Sequence, residues 1–304
     1  MIERVIITNR NGEILTINLG DVEPDTGLFI TEIKGLGPVK AAINMTDLAT
    51  QDGSKYNSAR AEKRNIVMNV RYIGADAEKA RLLTYKYFPL KQPVTFYIET
   101  GNRKAETKGY IESNEPNIFR EESDAQISIL CDSSYFKDVG DFGIQELPFS
   151  DIVPMFEFEF SDEDEESPSI EFSSVETKRE NVLTYNGETD NGIVISMFAI
   201  GPFTNPIIYN NETLEYLKID TAKVESIVGS PIQFGDEIRI STVKNDKYII
   251  FVREGTTYNI LNALDKNATW FTLHPGDNIF SYTADSGELN IEFTVTAQVL
   301  FAGV

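Results

Sequence analysis

The sequence predicts a mainly β protein, and three observations support that class. Apolar and polar residues alternate with a period of two in many short stretches, as at Phe156, Phe158 and Phe160, which have glutamates between them. Turn-forming pairs such as Asn11-Gly12 separate these stretches. A single segment has the length, spacing and end signals of a helix. Together these patterns are typical of antiparallel sheets that bury one face.

Two elements of the first half can be placed from local signals. The pair Asn11-Gly12 lies between two apolar runs and predicts a hairpin at the start of the chain. The segment DAEKARLLTYKYF predicts a helix, because Asp76 is a suitable N-cap residue, apolar residues repeat along one face, and Pro89 ends the segment. The first half is therefore predicted to consist of strands and one helix.

The second half is predicted to be an antiparallel β-sandwich. Its clearest strand places Ile291, Phe293, Val295 and Ala297 in phase on one face. The acidic run Ser161–Ser169 interrupts the strand pattern, and it lacks the alternating Asp or Asn with a central Gly of a calcium loop. We interpret this run as a solvated loop.

Length and charge predict two domains. The chain has 304 residues and a net charge of -21, and a chain of that length most often forms about two domains. Residues 1–140 contain 18 Lys and Arg against 20 Asp and Glu, whereas residues 141–304 contain 9 against 28. We place the domains at residues 1–138 and 139–304. The acidic surface argues against recognition of nucleic acid or of an anionic membrane.

The sequence offers little material for catalysis or cofactor binding. Cys131 is the single cysteine, so neither an intrachain disulfide nor a thiolate metal cage can form. The single histidine, His274, precedes Pro275 in a predicted turn. No nucleophile elbow, phosphate loop or metal-ligand spacing occurs. The sequence also lacks a signal-peptide h-region and a long apolar run, so we expect no catalytic, cofactor-binding or metal site and no membrane insertion.

Glu112 and Glu115 form the one acid pair that we considered for catalysis. They lie in the segment Gly109–Phe119, which is predicted to be a polar loop between two strands. Two carboxylates can divide acid and base roles in a glycoside hydrolase. We interpret the pair as part of the architecture, because Pro116 favours an extended corner and no other catalytic group lies nearby in sequence. A glycoside hydrolase stays open as an alternative.

The segment Asn44–Asn65 is polar and shows no clear strand or helix period. The overlapping stretch from Gln51 to Arg71 carries a local charge of +3 on an acidic chain. A segment with so few apolar residues buries little surface in its own domain, so we predict that it crosses a neighbouring copy. A head-to-tail contact of this kind repeats until a ring closes. The predicted interface residues are Lys55, Tyr56, Arg60, Lys63 and Arg64.

Several phrases, in their order along the chain, resemble the distal tail proteins of long-tailed phages that infect Gram-positive bacteria. This resemblance covers nearly the whole chain, with a change of domain near Tyr135. The phrases are ITEIKGLGP, QDGSKYNSAR, RNIVMNVRYIG, YKYFP, GYIESNEPNIF, ISILCDSSYF, GDEIRIST and WFTLHPGDNIFSY.

The resemblance implies an N-terminal β-rich domain with one helix that assembles into a hexameric ring at the tip of the tail tube. It also implies a C-terminal, galectin-like β-sandwich outside that ring. The expected partners are further copies of the chain, the tail tube protein, and tail-associated or receptor-binding proteins. The expected location is the virion tail tip, after synthesis in the cytoplasm of the host bacterium. A carbohydrate-binding module attached to an assembly domain stays open, with Trp270 and Phe271 as candidate stacking residues.

Overall fold

The computed structural model describes residues 1–19, 26–47, 49, 52–73, 77–117, 123–154, 173–177 and 179–304, and of 150–154 and 173–177 it describes the backbone alone. Three features considered in the sequence lie outside these residues, namely Asp76, the phenylalanines at Phe156, Phe158 and Phe160, and the acidic run Ser161–Ser169.

The described chain forms two compact units. Unit 1 comprises Met1–Gly143 and Val299–Val304, and unit 2 comprises Ile144–Gln298. The chain therefore leaves unit 1 after Gly143 and returns to it at Val299. The division at residues 138 and 139 that we drew from charge stays a prediction.

Most of the regular elements in the described residues are strands. The strands are β1 Ile2–Thr8, β2 Ile14–Asn18, β3 Leu28–Lys34, β4 Ala41–Asp47, β5 Ser54–Ala61, β6 Asn65–Tyr72, β7 Pro93–Thr100, β8 Lys104–Asn117, β9 Asp124–Cys131, β10 Phe136–Asp138, β11 Ile144–Pro148, β12 Ser150–Pro154, β13 Ser173–Thr177, β14 Glu180–Tyr185, β15 Val194–Ala199, β16 Ile207–Asn210, β17 Glu215–Lys218, β18 Glu237–Ser241, β19 Tyr248–Arg253, β20 Thr256–Asn259, β21 Gly276–Thr283, β22 Ile291–Gln298 and β23 Leu300–Phe301. The α-helices are α1 Ala77–Tyr87 and α2 Thr221–Val228, and short 3-10 helices occur at Leu261–Ala263 and Glu288–Asn290.

Unit 1 is built on one antiparallel sheet in the order β2-β1-β7-β8-β9-β6-β3, and β10 pairs with both β8 and β23. The predicted hairpin is confirmed as β1 and β2, with Ile7 opposite Leu15 and both side chains buried. The predicted helix is confirmed as α1. It buries Ala80 and Thr84, and the Thr84 hydroxyl lies 3.3 Å from that of Tyr72.

The segment that holds Glu112 and Glu115 is a strand, so the prediction of a loop was wrong. It belongs to β8, which pairs with β7 along its first half and with β9 along its second half. A bulge between Ile111 and Ser113 shifts the register there. This strand accommodates polar residues because one of its faces is open to solvent. From sequence alone, a polar strand of this kind is not distinguishable from a loop.

Unit 2 contains a six-stranded sheet in the order β11-β22-β15-β18-β19-β20, a four-stranded sheet in the order β14-β21-β16-β17, and the pair β12 and β13. The two larger sheets pack through aromatic rings. Phe293 of β22 stacks on Tyr282 of β21 with ring centroids 4.7 Å apart, and Phe149 meets both edge to face. The predicted mainly β fold is confirmed, while the galectin-like detail stays a prediction.

Helix α2 was not predicted, although its end signals are present in the sequence. Asp220 accepts hydrogen bonds from the backbone N–H groups of Ala222 and Lys223, and Gly229 ends the helix in the left-handed region at a φ of 92°. The helix has eight residues, which is too short for periodicity to stand out from chance.

Candidate assembly interface

An exposed hairpin, here called the arm, is the most unusual feature of unit 1. It consists of β4 and β5, which pair with each other in a separate two-stranded sheet. Every residue of β5 is exposed, and in β4 only Ala42 is half-buried. The prediction that Asn44–Asn65 contains no strand was wrong. The strand period of the arm is not visible in the sequence because both faces are open to solvent and because Asn57, a bulge residue without an opposite partner, breaks the alternation along β5.

The register of the arm separates an apolar face from a polar face. Residues directly opposite each other in an antiparallel pair project to the same side. The apolar face is formed by the pairs Ala41 and Ala61, Ile43 and Ala59, and Met45 and Tyr56, and the polar pair Asp47 and Ser54 ends the same side at the tip. The polar face is formed by the pairs Ala42 and Arg60, Asn44 and Ser58, and Thr46 and Lys55.

The apolar face carries three large exposed side chains. Ile43, Met45 and Tyr56 expose 60%, 53% and 58% of their surface. Three large apolar side chains side by side on one narrow sheet form a contiguous patch of the kind that marks interaction sites. Ile43 and Met45 are absent from the interface predicted by sequence. The sequence does contain a signal for them, because Ile43 and Met45 alternate with polar residues along β4. That alternation indicates an apolar patch only once Met45 is paired with Tyr56 across the hairpin.

The predicted interface residues separate into two groups. Lys55, Arg60 and Lys63 are exposed, and in the described part of the chain these three cations form no ion pair. Together with Tyr56 they lie on the arm or at its base. Arg64 is fully buried in unit 1, where its guanidinium donates to backbone carbonyl oxygens. Four of the predicted interface residues are therefore available to a partner, and Arg64 instead holds backbone segments of unit 1 together.

Glu112 and Glu115 do not share a cleft. Both are exposed on β8, and residues three apart on a strand are separated by about 10 Å. Glu112 accepts a hydrogen bond of 2.9 Å from the hydroxyl of Ser128, and Glu115 lies opposite Gln126 on β9. This arrangement is a solvated sheet surface.

The candidate sugar-stacking residues are largely covered. Phe271 is buried. Trp270 is half-buried, and the ammonium of Lys247 lies 5.3 Å from the centroid of its ring. His274 is paired through Nδ1 with Asp190 at 2.9 Å. No observation here favours carbohydrate binding over the other candidates.

Cys131 is buried in unit 1, and burial raises the pKa of its thiol from 9.0 to about 11. We expect the native protein to react with a thiol reagent at pH 8 at least about 100-fold more slowly than the unfolded chain, because the thiolate is scarce and inaccessible.

Between pH 9 and 11 the unfolded thiol loses its proton while the native thiol keeps it, so unit 1 should lose stability as the pH rises through this window. Labelling followed by absorbance tests the first expectation, and denaturant titrations at pH 8 and 10.5 test the second. Fast labelling of the native protein would contradict both.

In the described residues, no cluster of three or more His, Cys, Asp or Glu is arranged to hold a metal ion. No helix among those described is long and apolar enough to cross a membrane.

The fold defines a class of protein: two β-rich units, of which one is inserted in the other, with an exposed arm on the first. A solved phage hub protein shares this fold, and the resemblance drawn from the sequence is confirmed at the level of the fold. The crystal structure of SPP1 Dit, described as a paradigm of the hub adsorption apparatus in phages that infect Gram-positive bacteria, matches with a TM-score of 0.64. The match has 11% sequence identity and covers 98% of this chain and 99% of that chain.

A chain of the phage P2 baseplate in its activated conformation with Ca also matches, with a TM-score of 0.49, 11% identity and coverage of 98% of this chain and 99% of that chain. The conclusion on the fold rests on SPP1 Dit alone. No protein-family model matches the chain, and no curated protein matches its sequence significantly.

Proposed function

We propose that the chain is a structural component of a phage tail tip whose copies assemble through the arm into a closed ring. The tail-tip role is supported by the fold, which the chain shares over nearly its full length with a protein of a phage hub adsorption apparatus. In this proposal the ring is a hexamer that joins the tail tube protein to tail-associated and receptor-binding proteins. It acts without chemistry or cofactor, after synthesis in the host cytoplasm.

The uncovered apolar face of the arm is the observation that carries the assembly. A two-stranded sheet is at best marginally stable alone in water, and it needs a third strand or a packed face to persist. In the described chain neither face of the arm is buried. A surface on a second copy would cover Ile43, Met45 and Tyr56 and would supply the missing layer.

The charges of the arm favour another copy of the same chain as the partner. Lys55, Arg60 and Lys63 are exposed on a chain whose net charge is -21. Attraction between this arm and an acidic neighbour would raise the association rate and help to set the register, while apolar contacts supply most of the affinity. If the arm of one copy docks on a different surface of the next copy, the contact is heterologous. Such contacts generate a closed ring when the rotation between neighbouring copies divides a full turn evenly.

Residues 139–304 are proposed as the outer domain of this particle, with a galectin-like sandwich. Unit 2 carries most of the acidic excess, which suits a solvated periphery because like charges keep neighbouring domains apart. The independence of unit 2 can be tested with a fragment of residues 144–298. We expect it to give a cooperative, β-type circular dichroism melt, and a random-coil spectrum would count against an independent domain.

The assembly proposal predicts that a Tyr56→Asp variant stays monomeric where the parent forms a closed oligomer. A carboxylate on the apolar face would have to be desolvated on docking, so we expect at least a roughly 100-fold loss of affinity, equivalent to about 3 kcal/mol. Removal of Ser54 to Glu62 should have the same effect. Mass photometry and light scattering measure both, with the parent at high concentration or with its tail partners.

Ser58→Asp is the matched control, because it adds the same charge to the same strand on the polar face. We expect this variant to assemble within about tenfold of the parent. Equal losses in Tyr56→Asp and Ser58→Asp would show that charge, and not the apolar face, drives docking. A parent that stays at 34.1 kDa with tail partners present would overturn the proposal itself.

A further inference from the structure

The direction of the arm depends on its root, because every residue of the arm except the half-buried Ala42 is exposed. The root consists of residues 35–40 before the arm and 62–64 after it. The N–H of Glu62 donates to the carbonyl of Lys40 at 2.8 Å, which ties the two sides together. The hydroxyl of Ser134 donates to the carbonyl of Glu62 at 2.7 Å.

Arg64 links the two sides of the root to a distant part of the chain. Its guanidinium donates to the carbonyl oxygens of Gly35 and Gly37 on the entering side. The same group donates to the carbonyl of Ser134 at 2.9 Å and to that of Ala302 at 2.7 Å. These donors lie in a rigid planar fork, so one buried side chain fixes the relative positions of three segments.

The entering side of the root can come this close because residue 35 is glycine. Gly35 has a φ of +86°, in the left-handed region, and a Cβ built on it would lie 2.0 Å from the carbonyl oxygen of Asn65. A side chain there would push the entering segment away from β6. The root is therefore a close-packed crossing of backbones.

The segment Val299–Val304, here called the strut, completes this crossing. The N–H of Val304 donates to the carbonyl of Leu36 at 3.0 Å. Arg103 donates to the carbonyl of Gly303 at 2.6 Å and lies over the ring of Phe301, 4.3 Å from its centroid. Phe301 is in turn opposite Phe136 in the pairing of β23 with β10.

We propose that the strut sets the direction in which the arm leaves unit 1, and that Arg64 and Arg103 are positioning residues for assembly. This inference rests on the proposed docking of the arm on a second copy. The contact of Arg64 with Ala302 spans 238 positions, so the root is completed only when the chain returns from unit 2.

The geometry makes the direction important. An arm of seven paired residues is about 23 Å long, so a rotation of about 20° at the root moves its far end by roughly 8 Å, which exceeds the spacing of about 4.8 Å between neighbouring strands. An arm that swings over this range would have to be ordered during docking. A fixed root lowers that entropy cost and so strengthens assembly.

The test releases the strut without altering Arg64 or the core. In Arg103→Met/Val304→Pro the donor to Gly303 and the N–H that binds Leu36 are both lost, whereas the control Arg103→Lys/Val304→Ala keeps a cation and the N–H. Spin labels at Ser54→Cys on the arm and Lys108→Cys on β8 report the direction of the arm. They are placed in the Tyr56→Asp background, so that the distance is measured in a monomer and does not depend on assembly.

We expect a narrow distance distribution in the parent and the control, and one at least about twofold wider in the released variant. Without the labels and with Tyr56 restored, the released variant should need a roughly tenfold higher concentration to assemble, equivalent to about 1.4 kcal/mol. Unchanged widths in the released variant would overturn the role of the strut, whatever the assembly assay shows. If the distance distribution of the released variant is wider but the parent never assembles, the proposed function is rejected, while the role of the strut in directing the arm is retained.

Discussion

Replacing Arg64 with methionine is expected to lower the free energy of unfolding of unit 1 by about 3 kcal/mol or more. Methionine fills much of the same volume but donates no hydrogen bond. The carbonyl oxygens of Gly37, Ser134 and Ala302 would then lose a charged donor inside the protein. The contact of the guanidinium with the ring of Phe136, at 4.2 Å from the centroid, would be lost as well.

Cys131 provides a probe for this change that is specific to unit 1. The single thiol is buried there, and the backbone N–H of Cys131 donates to the backbone carbonyl of Arg64 at 2.9 Å. If labelling requires unfolding of the unit, a loss of 3 kcal/mol should accelerate it by roughly 100-fold. The control is Lys108→Met, which changes an exposed residue of β8 and should alter stability by no more than about 0.5 kcal/mol. An Arg64→Met protein that labels as slowly as the parent would contradict the structural role of Arg64.

Replacing Asp236 with alanine is expected to destabilise unit 2 by about 3–5 kcal/mol. Asp236 is 2% exposed and accepts from Nε of Arg253 at 2.7 Å. Arg253 also donates to the carbonyl of Pro231 at 2.8 Å and to the hydroxyl of Ser230. Without the carboxylate, the guanidinium would remain largely buried without a counter-charge, and its desolvation cost would no longer be offset.

Trp270, the single tryptophan, lies in unit 2 and therefore reports on that unit. We expect the midpoint of its fluorescence transition in a denaturant titration to fall sharply in Asp236→Ala, while the accessibility of Cys131 stays unchanged. The control is Lys218→Ala, which removes a surface ion pair with Asp285 at 3.7 Å and should cost at most about 1 kcal/mol. Equal shifts in the two variants would show that the buried pair contributes no more than a surface pair.

Local sequence signals were sufficient where one face of an element is buried and the other is solvated. The hairpin of β1 and β2, the helix α1 and the strand β22 were predicted because burial imposes a clear period on their residues. The arm lacks a buried face within the described chain, so its sequence resembles a loop. Its apolar face appears only when β4 and β5 are placed in register, since Met45 and Tyr56 become neighbours through pairing across the hairpin.

Composition and local pattern alone determined that the protein is mainly β and that its acidic excess lies in the second half. Those properties depend on residue type and short-range spacing. The tertiary structure decided the rest, because long-range contacts have no local signature. Arg64 had the appearance of one more surface cation in a basic segment. Its burial against the carbonyl of Ala302 depends on a segment that returns from unit 2, and only the folded chain brings the two together.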